Sequence, residues 1–258
     1  MSRKRNRNRR GLEQEIEILQ YALDHERVEN GKTACRQKKT WNAKDLRNLH
    51  PMTNPQHDMI YHFVQGEHLC AYGSAGTGKS LIALFLGMQE VLNPDSPISH
   101  IKIVRSTVPS RDQGFLPGKK EEKEMVYELP YHDIMTFLFG RKSSYEDLKK
   151  AEKLEFVSTS HIRGLTWDDC VVIVDEGQNM TFEEINSVVT RLGRNSRLIF
   201  LGDHPQCDLT KKHEISGMEK FVRIANSMDE FMMIRFTKND IVRSKFVKSW
   251  IEAVEDDI

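Results

Sequence analysis

Two patterns of apolar and polar positions alternate along this chain. Short continuous apolar runs, bounded by glycine or polar clusters, occur at residues 68–72, 101–107, 154–159 and 171–174, from 197 onward, and at 231–236. Runs of that length, rich in β-branched residues, predict strands buried on both faces of a sheet. Between them, residues 51–63, 80–92, 145–152 and 238–254 predict helices, and the charged run 119–124 predicts the start of a solvated one. Strands that alternate with helices imply an α/β fold with a mainly parallel sheet. Ahead of this region Leu12, Ile16, Leu19 and Leu23 give one apolar face to a helix of about four turns. Residues 31–50 are polar and basic, a linker or irregular cover. The expected organisation is an arm, helix and linker over 1–50 and one α/β domain over 51–258.

Charge refines this division. Lys plus Arg and Asp plus Glu both number 38 in 258 residues, so the total favours no class of partner. Residues 1–50, however, hold 13 basic against 7 acidic side chains, a net +6, and the remainder carries net −6. Six of the nine residues from Ser2 to Arg10 are basic, so this arm either contacts polyphosphate by releasing counterions or serves as a solubilising tail. Cys70 and Cys170 sit in apolar runs as small core residues, and no C-x-x-C spacing occurs. His204 and Cys207 have no second pair to complete a zinc site. With no apolar stretch of 18 residues and no hydrophobic signal segment after the arm, the expectation is a reduced, soluble, cytoplasmic protein without a membrane partner.

The chemistry concentrates at GSAGTGKS, residues 73–80, which matches G-x-x-x-x-G-K-[ST] between a predicted strand and a predicted helix. Gly73, Ser74, Ala75, Gly76, Thr77 and Gly78 would wrap backbone N–H groups around phosphate, with Leu81 just beyond the loop. Lys79 would meet the outer phosphates, and Ser80 would offer an oxygen to Mg²⁺. The run 171–179, VVIVDEGQN, reads as a Walker B strand. It offers Asp175 as the second metal ligand and Glu176 to orient or deprotonate water; two acids at a strand end could instead cap a helix. Gln56 carries the donor and acceptor that the edge of adenine requires. Arg105 ends a strand on the side where such sheets bind ligands. Arg163 can reach substrate or phosphate, or make a surface ion pair. Gln206 could sense the γ-phosphate or belong to a Gly-Asp-x-Pro turn, and Arg243 opens the last helix as a candidate arginine finger.

Taken together, NPQ at 54–56, GSAGTGKS at 73–80, GFLPG at 114–118, IRGLT at 162–166, DEGQN at 175–179, GDHPQ at 202–206 and DIVRS at 240–244 resemble the PhoH-like family. These are phosphate-starvation-inducible ATPases related to superfamily 1 helicase cores, and the shorter phage-encoded members are the most similar. The resemblance runs from about residue 51 to 253. It implies a single RecA-like core, ATP and Mg²⁺ as cofactors, coupling to RNA or single-stranded DNA, and a homo-oligomeric ring, plausibly a hexamer. Family members usually have Ala where Gly177 stands, Arg where Leu165 stands and His where Ser244 stands. Longer members carry a PIN nuclease domain; no acidic constellation for one remains here.

The function expected is therefore ATP hydrolysis coupled to nucleic acid, with Lys79, Glu176, Gln206 and Arg243 in catalysis. Arg243 would act across a subunit interface, because one core offers only half of a two-core helicase site. The alternatives are a nucleotide-dependent binding module without motor activity and a P-loop kinase.

Overall fold

The computed structural model describes residues 41–106, 120–162, 164, 166–203 and 217–256. The chain divides after Trp41, and the unit beginning at Asn42 is the one described below. The basic arm, the helix expected over 12–23 and the turn at 114–118 lie outside the described residues.

Each of the six apolar runs forms a strand: β1 His68–Gly73, β2 His100–Arg105, β3 Leu154–Ser158, β4 Cys170–Val174, β5 Arg197–Asp203 and β6 Phe231–Phe236. They form one sheet in the order β3-β2-β4-β5-β1-β6, every pair parallel. Parallel neighbours need crossover connections. Helices α2 Lys79–Leu92, α3 Lys120–Phe139, α4 Ser144–Lys150, α5 Phe182–Val189 and α6 Gly217–Ala225 lie in such connections, whereas α1 Asn54–Val64 precedes β1, α7 Lys245–Asp256 follows β6, and no α-helix lies between β3 and β4 among the described residues. The result is the RecA-like α/β core expected from the sequence.

Burial follows position in the sheet. All five residues of β4 are buried, whereas the edge strands β3 and β6 expose Glu155 and Arg235. On one face Val172, Val174, Leu198 and Phe200 pack against Ile185 and Val188 of α5 and Met218, Phe221 and Ala225 of α6. The helices α1, α2 and α3 bury Met59, Phe63, Leu84, Met88, Met135 and Leu138. Burial pushes the Cys70 thiol up to about 12, as suits a core residue with no reactive role.

Strand order places the two signature strands for joint work. β1 and β4 flank β5, so the carboxyl ends of all three open on one side of the sheet. The tight exit from β1 requires glycine: a Cβ on Gly73 would stand 1.9 Å from the Phe236 carbonyl oxygen.

Helix α3 differs from the sequence expectation, which saw only a helix start at 119–124. It spans twenty residues with Pro130 inside it. Met135 and Leu138 are buried on one side, Pro130, Ile134 and Phe137 line a cavity on another, and the buried Tyr131 also lines that cavity. Apolar residues on two sides erase the single-face periodicity that marks a surface helix.

Candidate nucleotide site

The loop between β1 and α2 is built to receive an anion. Gly78 precedes α2 in a left-handed conformation (φ 83°), and the first-turn N–H groups of α2 lack intrahelical partners. Lys79 is buried beneath this loop. Its Nζ donates to the Ser74 carbonyl at 2.8 Å, to Thr77 Oγ1 at 3.2 Å and to the Gly73 carbonyl at 3.3 Å. It also pairs with Asp203 Oδ1 at 2.7 Å. Behind the loop, the Gln56 amide donates to the Thr77 carbonyl and accepts from Met52 N–H, both at 2.8 Å.

Asp175, just past β4, has both carboxylate oxygens engaged. Ser80 Oγ donates to Oδ1 at 3.0 Å and the Tyr131 hydroxyl donates to Oδ2 at 2.9 Å. Burial, then the neighbouring Asp175, pushes the Tyr131 phenol well above its usual range, so it stays a donor. Ser80 and Asp175 thus bring hard oxygen donors together, and such a set suits Mg²⁺, which takes few protein ligands.

Glu176 follows in a left-handed conformation (φ 55°, ψ 40°), uncommon for a residue with a side chain. Gln178 Nε2 donates to Glu176 Oε2 at 2.7 Å, and Gln178 Oε1 accepts from Asp203 N–H at 2.8 Å. One amide therefore ties the acid after β4 to the end of β5. Burial raises the pKa of Glu176, Asp175 and Asp203 add to the shift, and Arg105 opposes it. For Arg105 itself, burial works against the charge, but Tyr131, Glu176 and Asp175 outweigh it and raise the pKa.

These groups line one open cavity of about 690 Å³, with Gly76–Leu81 on one side and Pro130, Tyr131, Ile134 and Phe137 of α3 on another. Lys79, Ser80, Asp175, Glu176, Arg105 and Arg243 all meet in it. Gln56 is not among its lining residues, and to read an adenine edge its amide would have to leave Thr77 or Met52. Arg243 lies on the cavity of its own chain, its Cγ 3.0 Å from where a Cβ on Gly76 would stand. The cause is the β6 exit: Val242 N–H donates to the Gly76 carbonyl at 3.1 Å, fixing the following arginine over the loop. Arg163 and Gln206 lie outside the described residues.

A family model described as PhoH-like protein matches residues 48–255. The chain belongs to this family. A PhoH-like protein of Bacillus subtilis is 31% identical over 220 residues, which is 84% of this chain and 66% of that protein. One from Synechocystis is 32% identical, over 71% of this chain and 55% of its own length. Protein PhoH of Escherichia coli is 29% identical, over 82% and 60%. The chain thus spans about two thirds or less of the length of these relatives. A crystal structure of Pif1 helicase from Candida albicans aligns with 81% of this chain and 44% of that one, at a TM-score of 0.42 and 16% identity.

At Gly177, where the resemblance implies Ala, a Cβ would stand 2.3 Å from the Phe200 ring and 2.9 Å from the Leu201 carbonyl oxygen. Three site residues escaped the sequence reading. Tyr131 is hidden in a helix without a clear period. Asp203 and Gln178 lie inside the quoted motifs GDHPQ and DEGQN, but their links to Lys79 and Glu176 depend on β4 and β5 lying side by side.

Proposed function

We propose that this PhoH-like chain is a Mg²⁺-dependent ATPase whose turnover is coupled to RNA or single-stranded DNA. The observation that carries the reading is the convergence of Lys79, Ser80, Asp175 and Glu176, from two strands and the elements after them, on one open cavity. Ser80 and Asp175 would hold Mg²⁺, which when bound supplies charge neutralisation between the outer phosphates. Lys79 exchanges Asp203 and the loop carbonyls for the γ- and β-phosphate oxygens, while the N–H groups at the start of α2 receive the rest of the polyphosphate. Arg105 and Arg243, which line the same cavity, add positive charge.

Glu176 then accepts a proton from the attacking water as its oxygen bonds to the γ-phosphorus and the bond to the ADP oxygen breaks. Its raised pKa makes it a better base than an exposed glutamate. The role of Gln206 as γ-phosphate sensor, cytoplasmic location and assembly into a ring, plausibly a hexamer, belong to the same proposal. The ring rests on the family resemblance, the Gln206 role on its amide beside the Gly-Asp turn, and the location on the sequence reading.

The Lys79–Asp203 pair favours a second reading. Nucleotide that takes Lys79 also frees the end of β5, which would suit a binding module switched by ATP without turnover. Phosphate release by the wild type separates the two, since the switch alone releases none, and Glu176→Gln tests the base. Under the ATPase reading the rate falls by about 100-fold or more while ATP binding persists; hydrolysis at the wild-type rate would exclude Glu176 as the base.

A further inference from the structure

Gln178 has no part in the reaction as proposed, yet it is buried and lines the same cavity as Lys79, Asp175 and Glu176. Its place follows from the chain after β4. Gly177–Asn179 form a single 3₁₀ turn, in which Asn179 N–H donates to the Glu176 carbonyl at 2.9 Å and Met180 N–H to the Gly177 carbonyl at 3.2 Å. Met180 is fully buried, and its carbonyl accepts from Gly217 N–H at 2.9 Å. Gln178 therefore rises from a backbone that the core holds in place.

The two ends of its amide have different partners. Oε1 accepts from Asp203 N–H at 2.8 Å, and Nε2 donates to Glu176 Oε2 at 2.7 Å. An amide suits this place because it carries an acceptor for a backbone N–H and a donor for a carboxylate on one fork. Asp203 in turn stands in register with Gly73, the first residue of the phosphate loop. A short path of fixed contacts thus runs from the phosphate loop across the end of β5 to the carboxylate that serves as base. It holds one oxygen of Glu176 and leaves the other to take a proton from water. Glu176 depends on such a hold, because its side chain is only partly buried and a glutamate in that setting has several staggered conformations to sample.

We propose that Gln178 is the positioning residue of Glu176, fixing the base relative to the phosphate loop so that the attacking water meets the γ-phosphorus in line. This rests on the ATPase reading and adds to it a residue that acts through the base alone. Its effect falls on turnover rather than on binding. Reactive geometry is sensitive to displacements of about 1 Å, whereas nucleotide affinity comes from the loop and Lys79.

The test measures phosphate release and the binding of a fluorescent ATP analogue, both with Mg²⁺, on the full chain. The proteins compared are the wild type, Gln178→Asn, Gln178→Met, Glu176→Gln, and Glu176→Gln combined with each of the first two. Gln178→Asn keeps the amide but shortens its reach by one methylene, and Gln178→Met keeps the length without either hydrogen bond. Neither alters charge, and each serves if the other fails to fold. Both should lower kcat at least about tenfold while KM and analogue affinity stay within about twofold of wild type. In the Glu176→Gln background the same changes should move the residual rate by less than about twofold, because no base is left to position.

Wild-type kcat in either folded variant overturns this inference alone. So does a loss of equal size with and without Glu176, which would make Gln178 a nucleotide contact or a support of the fold. No hydrolysis by the wild type, or hydrolysis by Glu176→Gln at the wild-type rate, overturns the proposed reaction and this inference with it.

Discussion

Asp175 shows how closely this site is set by single atoms. One oxygen accepts from Ser80 and the other from Tyr131, so the carboxylate is held in one orientation. Tyr131→Phe removes one of these donors while keeping the ring that fills the core. The Mg²⁺ concentration giving half-maximal hydrolysis should rise at least about tenfold, in line with other outer partners of metal ligands. An unchanged Mg²⁺ titration would reduce Tyr131 to packing. Glu176 makes a prediction in pH. A base works only when deprotonated, and burial raises its pKa, so the acid limb of kcat/KM should lie above the ordinary glutamate range. The rate falls as pH drops through that raised value. Residual activity of Glu176→Gln should lack this limb; its persistence would assign it to another group. At this scale the contiguous motifs were legible, because Lys79, Ser80, Asp175 and Glu176 announce themselves by spacing. Tyr131 did not, since its partner lies 44 positions away and reaches it only through the fold.

Among the elements, all six strands were readable because parallel strands buried on both faces become unbroken apolar runs. Helices α5 and α6 drew no expectation, although the shorter α4 did, and α3 was obscured by Pro130 and its two apolar sides. The loop after β4 makes a testable point. Gly177 lies so close to Phe200 that a Cβ does not fit without a shift. Gly177→Ala should destabilise the protein by about 1–3 kcal/mol in urea unfolding, through overpacking. Adding Phe200→Leu should restore much of the loss, because the two positions share one contact. Equal destabilisation in the single and double variants would show that the close contact is not the cause.

For the whole molecule, one sheet brings the glycine loop, Ser80, Asp175, Glu176 and Arg243 to a single cavity. Arg243 lines the cavity of its own chain because the β6 exit runs alongside Gly76, a placement that the sequence did not reveal. If it acts there, mixing Lys79→Ala with Arg243→Ala subunits should give no more hydrolysis than the two measured separately; recovery in the mixture would put Arg243 on a neighbour's nucleotide. The wider claim is ATP hydrolysis at this cavity, and phosphate release from ATP with Mg²⁺ tests it most directly, comparing wild type and Lys79→Ala with and without single-stranded RNA and DNA at fixed salt. The account predicts release that nucleic acid stimulates and that falls at least about 100-fold in the variant. Equal release from both proteins, or tight ATP binding with no turnover in the wild type, would contradict it.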